Sequence, residues 1–167
     1  SHPMPIKSQS FNLHELLDTV LSFERSSHPG LRFTAYYDAS LPDIEADRDK
    51  LHQVFLNLVR NASEACPADG RVRVLTRHCA HWELAGTNLD PTRRYILVSI
   101  EDEGPGIPEE LRKNIFKPLF STKKQGTGLG LSISFRLVES HGGQLRYQPS
   151  ERSCLLYTSD AADEQLS

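Results

Sequence analysis

The sequence has little of three features that would each point to a class of protein. Its 19 lysines and arginines are outnumbered by 22 acidic residues, for a net charge of −3, so no basic surface favours nucleic acid. No apolar run approaches the length of a membrane span, and we expect no signal peptide at the N-terminus. The cysteines, Cys66, Cys79 and Cys154, are odd in number and lack metal-ligand spacing, which favours reduced thiols in a cytosolic protein. What remains is a 167-residue chain with 38% apolar residues, enough for one domain with a core.

One glycine-rich stretch, residues 125–134, stands out. Gly126, Gly128 and Gly130 fall at alternate positions, and an apolar helical pattern follows at once. A glycine loop that enters a helix presents unpaired N–H groups and the positive end of the helix dipole, which suits phosphate. The spacing is not the dinucleotide G-x-G-x-x-G, and no Gly-Lys-Ser/Thr follows as in a Walker loop. A flexible loop without a ligand is the alternative.

Hydrophobic periodicity predicts an alternation of helices and strands. The predicted helices begin near residues 13, 48, 109 and 131, and the predicted strands cover residues 31–37, 71–74, 95–100 and 144–147. Strands in one mixed sheet with the helices on one face give an α/β two-layer sandwich. His14 is expected to be a solvated histidine of the first helix. The polar stretch 79–92 is expected to be a loose surface loop between two strands of a hairpin.

The second predicted helix carries two asparagines at an unusual place. Asp47 is a plausible N-cap for this helix, which covers roughly Arg48 to Cys66. At about 100° per residue, Asn57 and Asn61 lie one turn apart along one edge of its apolar stripe. Asparagine is a poor helix former and is costly when buried without a partner. The pair therefore indicates either a ligand site or a structural polar network.

A carboxylate stands at the end of the most apolar predicted strand. Asp102 is followed by Gly104 and Gly106, so it can present its oxygens to a pocket beside a flat backbone. Such a carboxylate can accept a hydrogen bond from an exocyclic amine like that of adenine, although an ordinary turn aspartate is the alternative. The amide oxygen of Asn61 suits Mg²⁺, and Lys123 could balance phosphate charge. Together these groups describe a magnesium–ATP pocket without a Walker loop.

Four motifs in this order resemble those of a known family. They are similar to the N box (Asn57–Asn61), the G1 box (Asp102–Gly106), the F box (Phe116–Phe120) and the G2 box (Gly126–Gly130). These are the ATP-binding motifs of sensor histidine kinases, whose Bergerat-type fold is shared with DNA gyrase, the Hsp90 chaperones and the mismatch-repair ATPases. The resemblance covers about residues 10–148. The residues within the boxes are most similar to those of the nitrogen-regulation type of sensor kinase.

The resemblance implies a role for each motif. Asp102 would bind the adenine amine, and Asn61 would hold Mg²⁺ with Asn57 beside it. Asn57, Asn61 and Lys123 would form the catalytic set. The residues implied to line ATP are Asn57, Asn61, Asp102, Gly104, Gly106, Ile107, Lys123, Gly126, Thr127, Gly128, Leu129 and Gly130.

The function implied by the resemblance is transfer of the γ-phosphoryl group of ATP to a histidine. That histidine would lie on a separate dimerisation domain, because His14 is not followed by the expected His-Glu-x-x-x-Pro pattern. A response regulator would act downstream, and the domain would be cytoplasmic, without nucleic-acid or membrane contact. The alternatives are a serine kinase that inhibits a sigma factor, an ATPase clamp and a degenerate ATP-binding module. The first two need a base where Asn57 stands, whereas a neutral imidazole needs none.

We expect three segments along the chain. Residues 1–9 would be a tail or linker remnant, and residues 10–153 the ATP-binding domain. Residues 154–167 would be a non-native tail that replaces the last strand, because the run from Cys154 to Glu164 resembles the translation of a transposon-derived sequencing adapter.

Overall fold

The computed structural model describes residues 5–117 and 130–160. The helices in this part of the chain are α1 (Leu13–Ser27), α2 (Arg48–Ala65), α3 (Glu109–Arg112) and α4 (Gly130–Ser140). The strands are β1 (Gln9–Phe11), β2 (Arg32–Tyr36), β3 (Ile44–Ala46), β4 (Arg71–His78), β5 (Tyr95–Asp102), β6 (Gln144–Gln148) and β7 (Ser153–Ser159). Short 3₁₀ turns cover His81–Leu84 and Pro149–Glu151. No helix within these described ranges is both long and apolar enough to cross a membrane.

The main sheet has five strands in the order β2-β4-β5-β7-β6. Strands β2 and β4 are parallel and the other neighbours antiparallel, so the sheet is mixed, as predicted. Burial alternates along β4, where Val72 and Val74 are buried and Arg73 between them is exposed, whereas β5 is buried on both faces from Tyr95 to Ile100. The buried face packs with α1, α2 and α4 in one core. The predicted two-layer α/β architecture is confirmed.

The two long helices begin at the predicted caps. Asn12 Oδ1 accepts the Glu15 N–H at 3.1 Å, and Asp47 Oδ1 accepts the Lys50 N–H at 3.2 Å. Each bond satisfies an N–H that has no partner within the first turn. The apolar stripe of α2 is buried in the core at Leu51, Val54, Phe55, Leu58, Val59 and Ala62. This burial fixes which edge of α2 carries its asparagines.

Three strands were not predicted. Strands β1 and β3 have three residues each, too few to show alternation, and they pair with each other away from the main sheet. Strand β7 lies between β5 and β6, with Cys154 opposite Ile100. Residues 154–159 thus occupy the place of the last strand in the structure. The foreign origin expected for residues 154–167 stays a prediction, and residues 161–167 lie outside the described part.

The connection between β4 and β5 is not a loose loop, which corrects the expectation. Leu84 and Leu89 are buried against Tyr95 and Leu97, on the face of the sheet opposite the helices. Arg77 donates to both carboxylate oxygens of Glu83, at 2.6 and 2.7 Å. The prediction was wrong because it rested on the mostly polar composition of the stretch, whereas its two leucines cover this face of the sheet. The predicted hairpin itself is confirmed, because β4 and β5 pair antiparallel.

His14 is also not a solvated side chain. Its ring stacks on Tyr37 with centroids 4.3 Å apart, and its Nε2 lies 2.7 Å from Thr76 Oγ1. Burial lowers the pKa of the His14 imidazole, with Asp18 and Asp38 acting in the opposite direction. The helical pattern placed His14 on the polar side of α1, and it could not reveal that the ring of Tyr37, directly after β2, packs on it. The residue joins α1 to the sheet.

Candidate functional site

The first asparagine of α2 contacts the beginning of α4. Asn57 Nδ2 donates to Ser134 Oγ at 3.1 Å. The other side of the amide faces Gly130, where an added Cβ would lie only 2.6 Å from Asn57 Oδ1. Glycine at this position therefore allows the amide to lie directly against the start of an eleven-residue helix. Asn61 is half-buried one turn further along α2.

Asp102 ends β5 beside the C-terminal end of α2. The turn that follows packs on this helix, because a Cβ at Gly104 would lie 2.5 Å from the Ala65 carbonyl oxygen. Asn61 lies one turn before Ala65, so the second asparagine and the Asp102 turn belong to one region. The structure thus brings the turn after Asp102 onto the helix that carries Asn57 and Asn61, although the two are distant in sequence.

The Asp102 carboxylate is partly desolvated. Burial raises its pKa, while the Gly104 N–H and the Arg152 guanidinium oppose that shift. Oδ1 accepts the Gly104 N–H at 2.7 Å. A carboxylate has about four acceptor positions on its two oxygens, so capacity remains for an amine donor from a ligand. This is the chemistry that the sequence assigned to Asp102.

The turn after Asp102 is held by side chains that the sequence did not single out. The Ile107 N–H donates to Tyr147 Oη at 3.1 Å, and Arg152 Nη1 donates to the Gly104 carbonyl oxygen at 2.8 Å. Arg112 Nε donates to the Ile107 carbonyl oxygen at 2.9 Å. These partners are distant in sequence from the turn, or belong to no motif, so no local signal identifies them. Ser134, the partner of Asn57, was missed for the same reason.

Several predicted site residues lie outside the described residues. They are Lys123, Gly126, Thr127, Gly128 and Leu129, within residues 118–129. The F box is described only at Phe116 and Lys117. The Phe116 ring stacks on Phe135 of α4 with centroids 5.2 Å apart. This contact joins the first residue of the F box to the helix that carries Gly130 and Ser134.

The described side chains fit a nucleotide whose phosphate groups supply the negative charge and most of the oxygen ligands of a metal ion. In the part of the chain that the structure describes, no group of three or more His, Cys, Asp or Glu residues could hold a metal ion. The site instead offers neutral amides, a carboxylate and the N-terminus of α4. Neutral oxygens complement a hard cation whose remaining ligands are phosphate oxygens, and a helix N-terminus complements phosphate. The donor set therefore fits a metal-bound nucleotide better than a free metal.

Comparison with known proteins gives one family and consistent relatives. The family described as "Histidine kinase-, DNA gyrase B-, and HSP90-like ATPase" matches residues 46–160. The chain is 37% identical over 155 residues to the sensory histidine kinase/phosphatase NtrB of Azospirillum brasilense, covering 91% of this chain and 39% of that protein. It is 37% identical over 150 residues to NtrB of Rhizobium leguminosarum bv. phaseoli, covering 86% and 38%. The chain thus spans about two fifths of the length of these relatives.

Solved structures agree with these relatives. A nucleotide-free catalytic domain of histidine kinase ThkA has a TM-score of 0.76 and 31% identity, over 92% of this chain and 98% of that one. A structure of ThkA in complex with the response regulator protein TrrA has a TM-score of 0.71 and 30% identity, over 93% and 42%.

Proposed function

Because this chain belongs to the histidine kinase-, DNA gyrase B- and HSP90-like ATPase family, we propose that it binds ATP with Mg²⁺ and presents the γ-phosphoryl group to a histidine on another domain. It is an ATP-binding catalytic domain of the histidine-kinase type, homologous to NtrB sensor kinases. One observation carries the proposal. The Asp102 turn packs on the end of α2 while Asn57 of the same helix lies against the start of α4.

Each side chain has a role in this proposal. Asp102 accepts a hydrogen bond from the adenine amine, beside the turn at Gly104, Gly106 and Ile107. Asn61 holds Mg²⁺ by its amide oxygen, and Asn57 lies beside it, oriented by Ser134. When bound, Mg²⁺ offsets charge on the phosphate oxygens. The remaining predicted residues bind the phosphates and balance their charge. They are Lys123, Gly126, Thr127, Gly128, Leu129 and Gly130.

The acceptor group distinguishes this reaction from its alternatives. Asn57 donates to Ser134 and cannot take up a proton, so nothing at this position activates water or a serine hydroxyl. A sigma-factor serine kinase and an ATPase clamp both need such a base. A neutral imidazole is already a nucleophile, and phosphoryl transfer then depends mainly on positioning and charge stabilisation. Asn57 therefore favours histidine as the acceptor.

The histidines considered from the sequence have structural partners. His14 stacks on Tyr37. His141 Nε2 accepts the Asp47 N–H at 3.0 Å, and its Nδ1 lies 2.7 Å from the Leu137 carbonyl oxygen. We therefore place the acceptor on a dimerisation domain of the same kinase. A downstream response regulator is a further proposed partner, supported by the ThkA–TrrA complex. We propose a cytoplasmic domain without nucleic-acid or membrane contact.

The test is phosphoryl transfer in trans. The chain is incubated with Mg²⁺ and γ-labelled ATP, alone and with a dimeric helical hairpin that carries the acceptor histidine of an NtrB relative. Alone it should neither become labelled nor hydrolyse ATP appreciably, whereas the hairpin should acquire an acid-labile label. Controls are a hairpin without its histidine and Asn61→Ala, which should impair magnesium-linked nucleotide binding more than adenosine binding. Acid-stable label on this chain alone would refute the assignment and favour the serine kinase.

A further inference from the structure

Two side chains from the far edge of the sheet hold the turn that follows β5. Tyr147 lies in β6, which is separated from β5 by β7, and its Oη accepts the Ile107 N–H at 3.1 Å. Arg152 lies just before β7, and its Nη1 donates to the Gly104 carbonyl oxygen at 2.8 Å. One bond therefore satisfies the last N–H of the turn and the other its first carbonyl. Backbone groups in a turn that makes few internal bonds need such external partners.

Gly106, between these two bonds, shows how closely the side chains approach. Its φ of +77° is a left-handed conformation that side-chain-bearing residues rarely adopt. A Cβ at Gly106 would lie 3.1 Å from Tyr147 Oη and 3.2 Å from Arg152 Cγ. Both side chains thus lie against the bare backbone of the turn as well as bonding to its ends. The centre of the turn is thus packed against both side chains.

We propose that Tyr147 and Arg152 are positioning residues for the nucleotide, because they fix the turn from Gly104 to Ile107 that sets the adenine pocket beside Asp102. This inference rests on the proposed function. Neither residue needs to touch the ligand. Arg152 has a second effect, since its charge favours the ionised form of Asp102 against the opposing effect of burial.

The proposal predicts where the loss will fall when either residue is changed. The turn adjoins Asp102, whereas the asparagines of α2 serve the metal and phosphate side. Loosening the turn should therefore weaken adenosine, ADP and ATP by the same factor. The dependence of ADP affinity on Mg²⁺ should stay as in the wild type. Partial unfolding would also weaken all three ligands by one factor, because it lowers the fraction of binding-competent protein, so a matched control variant is needed.

The chain offers a matched control for Tyr147→Phe. Tyr95 Oη accepts the Asp90 N–H at 3.1 Å, so Tyr95→Phe removes the same kind of bond in the connection between β4 and β5. A phenol–amide bond contributes about 0.5–1.5 kcal/mol net, which corresponds to roughly a two- to tenfold change in affinity. Tyr147→Phe should weaken adenosine and ADP by about that factor and speed amide exchange at Ile107. Tyr95→Phe should leave both affinities unchanged. Arg152→Met removes a charged donor and its effect on Asp102, so it should weaken both ligands at least as much as Tyr147→Phe.

Calorimetric titration of each variant with adenosine and with ADP, with and without Mg²⁺, decides the matter. Wild-type affinity in Tyr147→Phe despite faster exchange at Ile107 would overturn the positioning role of Tyr147, and wild-type affinity in Arg152→Met that of Arg152. An equal loss in Tyr95→Phe would assign the effect to general destabilisation. If the wild-type chain itself binds neither ligand, the proposed function fails, a result distinct from failure of the inference alone.

Discussion

The substitution Gly130→Ala should slow phosphoryl transfer while it changes the free energy of unfolding little. In Gly130→Ala the new Cβ would lie 2.6 Å from Asn57 Oδ1, 3.1 Å from Nδ2 and 3.2 Å from Cγ. Such contacts are too short to persist, but they all involve the amide end of one side chain. The amide can rotate away more easily than α2 and α4 can separate. Asn57 should therefore leave its bond to Ser134 while the helices stay packed.

The effects on folding nearly cancel. Alanine is favoured over glycine within a helix by about 0.8–1.0 kcal/mol, and by less at the first residue. Loss of the Asn57–Ser134 bond costs about 0.5–1.5 kcal/mol. The free energy of unfolding should therefore change by less than about 1 kcal/mol. Transfer should slow about tenfold or more, equivalent to about 1.4 kcal/mol, because a group at the phosphates has lost its position.

Urea unfolding and single-turnover transfer to the acceptor hairpin measure the two quantities. The control introduces Gly130→Ala into an Asn57→Ala background, where the methyl group has no amide to displace. There it should slow transfer by a much smaller factor than in the wild type, and the alanine should slightly raise stability. The reasoning fails if Gly130→Ala slows transfer equally in both backgrounds, or if it leaves wild-type transfer intact.

Two further predictions concern buried charge. Because burial raises the pKa of Asp102 above its ordinary 3.8, the wild type loses folding stability as the pH rises through that native pKa. By calorimetry at neutral pH, Asp102→Asn should therefore unfold at a higher temperature than the wild type. It should nevertheless bind adenosine about ten- to a hundredfold more weakly. A lower unfolding temperature or an unchanged affinity would contradict this prediction. The fully buried Glu24 lies 3.5 Å from Arg60 Nε and 3.3 Å from His28 Nε2. Arg60→Met should cost about 1–3 kcal/mol in urea unfolding, because it leaves a buried acceptor with one partner fewer. Adding Glu24→Gln should recover part of this loss, and full stability of the single variant would contradict the reasoning.

Periodicity predicted the elements whose burial follows from their own sequence. Helix α2 runs from Arg48 to Ala65 because its stripe and its Asp47 cap are both local. The three-residue strand β3 has no such signal, since Ile44 and Ala46 are too few to show a period and are buried in the core shared by the helices and the main sheet. Strand length and pairing partner are properties of the whole fold.

The candidate site divides in the same way. Asp102 and the asparagines of α2 belong to motifs with fixed spacing, so sequence reasoning could propose them as site residues. Tyr147 stands 40 residues from Ile107, and Ser134 stands 77 residues from Asn57. The order of strands and the packing of α4 on α2 bring these partners together, and neither can be read from spacing. The motifs therefore predicted the groups that would meet a ligand, but not those that orient them.

Helix α4 is fastened to α2 at two places. Ser134 bonds to Asn57 near the middle of both helices, and His141, directly after α4, accepts the N–H of Asp47, the cap before α2. Asn57 and Asp47 are about 15 Å apart along α2, at 1.5 Å per residue. A helix held to its neighbour at one point can rotate about that point. A helix held at two separated points rolls or tilts only together with its neighbour. A displacement of Gly130 should therefore either break one of these two hydrogen bonds or move α2 together with α4. In the second case the asparagines of α2 move as well.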